Sequence, residues 1–439
     1  MTERLSILWH YVQARRRFTR WKNRAALETW QEQQVQRHLT TVAERSPFFR
    51  QRVAEHDQSS WREWPVLGKA EMMRHFDTWN TAGVTLEAAW ALATAAERTR
   101  DFSATLSGIT VGLSSGTSGS RGIFLASGGE RRLWAGTLLA RTLRGTLRHS
   151  HRAALFLRAD SPLYQTVNSR RFQFAFFDLY QPLNEHGPRL QALRPTVIAA
   201  PPSVLVHLAA QPGAATLLAP PAILLSVADV LDAADRERIE QGFNHRVAQI
   251  YQATEGFLAA TCPYGRLHWN EDSLVVQKEW LDPAHTRYAP VITDFRRLTQ
   301  PIVRYRLDDV IVADNAPPCP CGSLFGTLGA IEGRCDEVLQ LPGTETAAPV
   351  LIFPDFVRRA LVLGLPAGVN YSVVQTAPSH WDVSFSADCE LEPVRQEVTE
   401  LCRQLGAQAP ALRIVPWVPP APSAKLRRVR RQLTESSTP

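Results

Sequence analysis

The chain has 439 residues, of which 44% are apolar and 21% charged, with a formal net charge of +7 and six cysteines. That balance describes a soluble globular protein of two or three units with a sizeable core, and it excludes a small disulfide framework. The positive charge does not point to nucleic acid: Arg15, Arg16, Arg17, Arg20, Lys22, Arg24 and then Lys425, Arg427, Arg428, Arg430 and Arg431 exceed the whole net charge and leave the rest slightly acidic.

The opening "MTERLSILWHYVQARRR" puts its basic cluster after a short apolar run, the reverse of a secretory signal, so a cytoplasmic protein is expected. Residues 1 to about 60 read as helical. In "ETWQEQQVQRHLTTVAERS", Val35, Leu39 and Val42 fall on one face, and Pro47 should end that helix by keeping Ser46 out of helical conformation.

Residues 113–122, "LSSGTSGSRG", lie between two short strand-like runs, "SGITVG" and "IFLAS". Gly116, Gly119 and Gly122 allow sharp turns that bring backbone amides close to an anion. Ser114, Ser115, Thr117, Ser118 and Ser120 add hydroxyl donors, and Arg121 adds charge. The loop reads either as a phosphate cradle or as a surface hairpin, and it is not a Walker loop.

From about 100 to 310 short apolar strands alternate with helices: "RAALFLR", "TVIAA", "AILLSVA" and "RVAQIY", the last following the helical "DAADRERIEQGF". Such alternation predicts an α/β sheet with ligands at the carboxyl ends of its strands. The longest apolar region, 196–231, is interrupted by five prolines and a histidine, so it is core and not a membrane span. In "IYQATEG" (250–256) a Thr-Glu pair follows a strand end. Glu255 there suits a carboxylate holding Mg²⁺ against phosphate, or a strand-terminal glutamate in solvent.

In "PIVRYRLDDV" (301–310) adjacent aspartates follow an Arg-Tyr-Arg run, and one carboxylate there suits both hydroxyls of a ribose. "GRCDE" (333–337) marks a change of character. "YSVVQTA" and "WDVSFSA" read as a hairpin, "EPVRQEVTELCRQLG" as an amphipathic helix and "ALRIVPWV" as a final strand, leaving the last dozen residues without structure. The predicted division is 1–333 and 334–439: a large α/β domain and a small α+β domain.

The cysteines add a separate expectation. Cys262 and His268 in "TCPYGRLH", with Cys319 and Cys321 in "PCPCG", supply three thiolates and an imidazole, a tetrahedral set suited to Zn²⁺. Their spacing differs from a standard finger. The alternative is that Cys319 and Cys321 are loop cysteines in a reducing cytosol, with His268 packed on Trp269; Cys335, Cys389 and Cys402 are scattered and read as buried or inert.

In this order and spacing, "SSGTSGSRG", "YQATEG", "RLHWNED", "PIVRYRLDD" and "CPCG" resemble the adenylate-forming superfamily of acyl-CoA synthetases, nonribosomal adenylation domains and luciferases. The chain looks closest to the branch of phenylacetate-CoA ligase and the synthetase that adenylates a deazaflavin coenzyme. The resemblance implies an enzyme that uses ATP and Mg²⁺ to convert a carboxylic acid to acyl-AMP and pyrophosphate. Ser114, Ser115, Gly116, Thr117, Ser118, Gly119 and Arg121 would cradle the β- and γ-phosphates. Thr254 and Glu255 would meet the α-phosphate and Mg²⁺, with Tyr251 and Gln252 beside them.

The resemblance also gives Asp309 the ribose, Arg334 a place next to it, Asp336 the hinge, and Lys425 the bridge between α-phosphate and attacking carboxylate. Asp229 stands where a glutamate is common. Departures include Arg121-Gly122 for Pro-Lys, Gln252 for glycine, Leu307-Asp308 for Thr-Gly and Ala424 for glycine. The segment after Glu337 also lacks the glycine-containing turn that accompanies a pantetheine tunnel.

The implied acceptor is CoA, a carrier-protein thiol or an amine. "FQFAFFDLY" (172–180) offers aromatics either for a flat acyl pocket or for ordinary core. Two other functions are compatible: transfer of AMP to a phenolic hydroxyl of a coenzyme-like substrate, and a non-catalytic nucleotide-binding homologue.

Overall fold

The computed structural model describes residues 3–114, 122–143, 149–157, 159–166, 168–179, 181, 183–334, 337–345, 349–366, 369–419 and 427–432. Two compact units emerge, one of residues 1–307 and 311–331, the other of residues 308–310 and 332–439.

The first unit begins with helices Glu3–Thr19 and Arg24–Arg45. The second of these ends where Pro47 requires: Ser46 is extended (φ −110°, ψ 119°), closes that helix and caps the next, Pro47–Glu55, through its side chain. Val35, Leu39 and Val42 are fully buried in the largest core cluster, together with Trp61, Tyr288 and Tyr305.

Strands β1 (Thr110–Leu113) and β2 (Ile123–Ala126) pair antiparallel, with Leu113 opposite Ile123. A capping box of Ser127 and Glu130 then starts the helix Gly128–Thr142. The main sheet has a parallel half: β3 (His151–Leu157), β4 (Phe172–Asp178), β5 (Val197–Ala200), β6 (Ile223–Ser226) and β7 (Val247–Ala253), in spatial order β4-β3-β5-β6-β7. β5 is buried along its whole length and β3 along most of it, because helices such as Pro202–Ala209 and Ala233–Phe243 cover the sheet.

Alternation stops at β7, short of the expected limit near residue 310. β8 (Gly256–Thr261), β9 (Leu267–Trp269), β10 (Leu274–Trp280), β11 (Arg287–Asp294), β12 (Ile302–Arg306), β13 (Asp309–Ala313) and β14 (Thr327–Arg334) follow with no helix among the described residues. β8 pairs antiparallel with both β7 and β9, and β11 with both β10 and β12. Antiparallel neighbours can be joined by turns and need no crossover helix.

The second unit holds the hairpin β15 (Leu339–Leu341) and β16 (Val350–Ile352), then β17 (Tyr371–Ala377), β18 (His380–Phe385), β19 (Ala411–Ile414) and β20 (Val429–Arg431) in the order β19-β18-β17-β20. Helices Pro354–Gly364 and Leu391–Leu405 complete its core around Val373, Trp381, Val394 and Val398. β19 is not the final strand. Val429, at the start of the basic run, is fully buried and β20 pairs parallel with β17. The single apolar residue of "RRVRR" supplies the inward face that strand alternation needs.

Candidate active site

Two strand ends converge in the first unit. β7 and β8 form a hairpin with Ala253 opposite Gly256, so Thr254 and Glu255 alone make the turn. Thr254 Oγ1 donates to Glu255 Oε2 at 2.9 Å, which orients the carboxylate. Tyr251 is buried in the largest core cluster, and Gln252 Oε1 accepts from Trp134 Nε1 at 2.9 Å. The neighbouring parallel strand, β6, leads through Ala228, a non-glycine residue at φ 67°, to Asp229, whose Oδ1 accepts from the amide of Val230.

The base of the Gly/Ser loop is closed by reciprocal bonds. The Ser114 amide donates to the Gly122 carbonyl, and the Gly122 amide to Ser114 Oγ, both at 2.7 Å. Lys69 Nζ lies 3.5 Å from the same hydroxyl. Ser115, Gly116, Thr117, Ser118, Gly119 and Arg121 lie outside the described residues, as do Asp336 and Lys425.

The segment 294–300, unremarked in the sequence, joins these two places. Arg297 Nη1 donates to the Thr254 carbonyl at 3.0 Å and its Nη2 to the Leu125 carbonyl on β2 at 3.3 Å. Gln300 takes the place of a strand partner for β2: it accepts from the Leu125 amide and donates to the Ile123 carbonyl, each at 3.0 Å. Glu130 accepts from the amides of Leu298 and Thr299 at 2.8 and 2.9 Å. The strand leaving the loop is thereby fixed against the Thr-Glu turn. Asp294 is buried at the same place: a Cβ on Gly256 would lie 3.0 Å from its Oδ2. Burial pushes its carboxyl up to about 6, against the opposing pull of the Arg296 amide and the Arg297 charge.

Aromatic side chains stand beside Gln252. Trp134 packs edge-on to Tyr164 (5.7 Å between centroids), and Tyr164 stacks on Phe174 (6.2 Å). Phe177 does not join them; it is fully buried and stacked on Phe156 in a separate core. "FQFAFFDLY" therefore divides by strand alternation, one face packing on Tyr164 and the other into the core.

No family model and no curated protein matches this sequence. Solved structures do. A 2-hydroxyisobutyryl-CoA ligase in the postadenylation state, with 2-HIB-AMP bound, superposes with a TM-score of 0.66 over 96% of this chain and 92% of its own, at 19% identity. The amide bond synthetase McbA from Marinactinospora thermotolerans gives 0.51 over 72% and 67% at 14% identity. The anthranilate-CoA ligase AuaEII with anthranoyl-AMP gives 0.50 over 72% and 66% at 13% identity. The chain has the fold of the adenylate-forming ligases. It comprises the large mixed α/β unit and a smaller α+β unit.

Within the small unit of this adenylate-forming fold, Asp309 at the start of β13 and Arg334 at the end of β14 face each other, with Arg334 Nε 4.0 Å from Asp309 Oδ1. Glu337 accepts from Arg427 Nε at 2.9 Å and from the Arg334 amide at 3.1 Å. In the large unit, the Sγ atoms of Cys262, Cys319 and Cys321 and a ring nitrogen of His268 all lie within 4.8 Å of one another. No helix among the described residues is long and apolar enough to cross a membrane.

Proposed function

We propose that this protein is an ATP-dependent adenylate-forming ligase that activates an aromatic carboxylic acid as its acyl-AMP, releases pyrophosphate and passes the acyl group to a thiol or amine acceptor. The observation that carries this reading is the Arg297 bridge between Thr254, beside Glu255, and the strand leaving the Gly/Ser loop. Attack of a carboxylate on a polyphosphate brings like charges together, and fixed donors around the phosphate reduce that repulsion. The Ser114-to-Gly122 loop is the proposed cradle for the β- and γ-phosphates. Thr254 would donate to the α-phosphate, and Glu255 would hold Mg²⁺, which supplies charge neutralisation there. Asp309 would take the ribose hydroxyls with Arg334 beside it. Lys425 would approach the α-phosphate.

The aromatic preference rests on Trp134, which bonds Gln252, and on Tyr164 and Phe174 packed in series behind it. The acceptor class follows the superposed enzymes, which include CoA ligases and an amide bond synthetase. Exchange of labelled pyrophosphate into ATP, screened over aryl and alkyl carboxylic acids, tests the reading. Exchange dependent on aryl acids is expected. Exchange with no acid of the panel, or label from ATP retained on a phenol, overturns it.

A further inference from the structure

The adenylation chemistry makes no use of Cys262, His268, Cys319 and Cys321, although their ligand atoms cluster within 4.8 Å. The two cysteine segments are built alike. Each begins Cys-Pro and turns back at a glycine in left-handed conformation, Gly265 at φ 84° and Gly322 at φ 75°. The Gly265 amide donates to the Cys262 carbonyl at 2.9 Å, and the Gly322 amide to the Cys319 carbonyl at 3.1 Å. A side chain at either glycine would strain that turn.

Such turns aim main-chain amides at sulfur. Those of Tyr264 and Arg266 point at the Cys262 sulfur, that of Cys321 at Cys319 and that of Ser323 at Cys321. Amides directed at the sulfurs orient them and supply the outer-shell hydrogen bonds that metal-bound sulfur accepts. The histidine is prepared in the same way. His268 Nδ1 sits 2.9 Å from the Phe325 carbonyl, so this nitrogen carries the proton and the lone pair is on Nε2. Nε2 faces the cluster, 3.5 Å from Cys321 Sγ, and Cys262 Sγ is 3.4 Å from Cys319 Sγ. A tetrahedral zinc site places two sulfurs about 3.8 Å apart and a sulfur and a nitrogen about 3.6 Å apart, given ligand distances of about 2.3 and 2.1 Å.

We infer that Cys262, His268, Cys319 and Cys321 bind one zinc ion in a closed, structural site. All four positions are protein ligands, three of the four residues are buried, and Phe18, Leu27 and Phe325 pack around the sulfurs, so no position is left for substrate. Three thiolates on Zn²⁺ leave one net negative charge; Arg266 lies near enough to Cys262 and Cys319 to attract it, although its main partner is Asp314 at 2.6 Å. The ion would join the β8–β9 turn to the loop between β13 and β14. β8 runs from the Thr-Glu turn to Cys262 over six residues, which separates the zinc from the reacting groups by about 20 Å. It would anchor the far end of the strand that bears the active-site turn.

The test is metal content of the full chain, purified without chelator and dialysed against metal-free buffer. About one zinc per chain is expected, falling at least tenfold in Cys319→Ser and His268→Gln. Wild-type protein refolded with Co²⁺ should show the sulfur-to-cobalt charge-transfer band and intense visible bands of a tetrahedral thiolate site, which does not depend on any variant folding. Chelation should speed amide exchange in 262–268 and 319–325. Wild-type protein with well under 0.1 zinc per chain and no such cobalt spectrum overturns the site. So does a native Cys262–Cys319 disulfide, or zinc retained in full by both variants.

Discussion

Arg297 donates to the carbonyl of Thr254 with one guanidinium nitrogen and reaches the Leu125 carbonyl with the other. One side chain thus sets the separation between the strand that leaves the Gly/Ser loop and the turn that carries Glu255. A lysine offers a point charge without the planar fork and cannot hold both carbonyls in the same geometry. Arg297→Lys should therefore slow pyrophosphate exchange about tenfold and Arg297→Ala about a hundredfold, because a displacement of about 1 Å at reacting groups costs that much. The KM for the acid should change little. Wild-type turnover in Arg297→Ala, with only a lower melting temperature, would reduce Arg297 to a structural tie.

Asp294 gives the site a pH signature. Its carboxyl is raised by burial from 3.8 to about 6. Below pH 3.8 both folded and unfolded chains carry the proton, and the fold has its full contribution from this group. As pH rises to about 6 the unfolded chain ionises first and that contribution is lost, on the order of 3 kcal/mol in all. Asn retains the acceptor for the Arg296 amide, 2.8 Å away, without the charge. The stability of Asp294→Asn relative to wild type should thus rise between pH 4 and 6 and then flatten. Urea unfolding at four pH values measures this, and a pH-independent difference rejects it.

The Arg141–Asp272 pair sits deep in the first unit, with side chains 2% and 3% exposed and Nη2 2.7 Å from Oδ1. Arg141 also donates to Asn270 Oδ1 and to the Ala14 carbonyl, while Glu271 binds Arg24 through both its oxygens. "NED" is therefore a junction between the N-terminal helices, the helix after β2 and the turn into β10. Arg141→Ala or Asp272→Ala should each cost about 3–5 kcal/mol by stranding a buried charge. Replacing both with apolar residues, Arg141→Met with Asp272→Leu, should recover much of that loss. A double variant no more stable than the worse single one would show that the remaining bonds of Arg141 dominate.

What could be read in advance followed from local rules. Pro47 keeps the residue before it, Ser46, out of helical conformation and so ends the helix there, and runs such as "TVIAA" are buried strands for want of any polar face. Arg297 and Gln300 escaped because their partners lie more than 40 and more than 170 residues away, and "DFRRLTQ" has no periodicity to mark them. The antiparallel half is hidden because "RLHWNED" and "PIVRYRLDD" present themselves as motifs and not as alternating strands. β20 escaped because a dense charge run resembles a solvated tail, although its one valine is wholly buried.

That basic run also allows two neighbouring cations to be told apart. Lys425 lies outside the described residues, and its role comes from the resemblance alone. Arg427 is two positions on, with its Nε 2.9 Å from Glu337 Oε1 and side chains only 19% and 9% exposed. Glu337 in turn holds the Arg334 amide, so Arg427 serves the packing of the small unit. Arg427→Ala removes a partner from a nearly buried carboxylate and should lower the stability of that unit by about 1–3 kcal/mol. It should leave exchange within a few-fold of wild type. Lys425→Ala should do the opposite: unchanged melting, exchange reduced at least a hundredfold, and near-normal acyl transfer when synthetic acyl-AMP is supplied, since the positive charge is needed only while carboxylate and α-phosphate approach. Exchange kinetics and thermal unfolding of the two variants, measured side by side, separate the roles. Full exchange in Lys425→Ala would remove this lysine from the adenylation step.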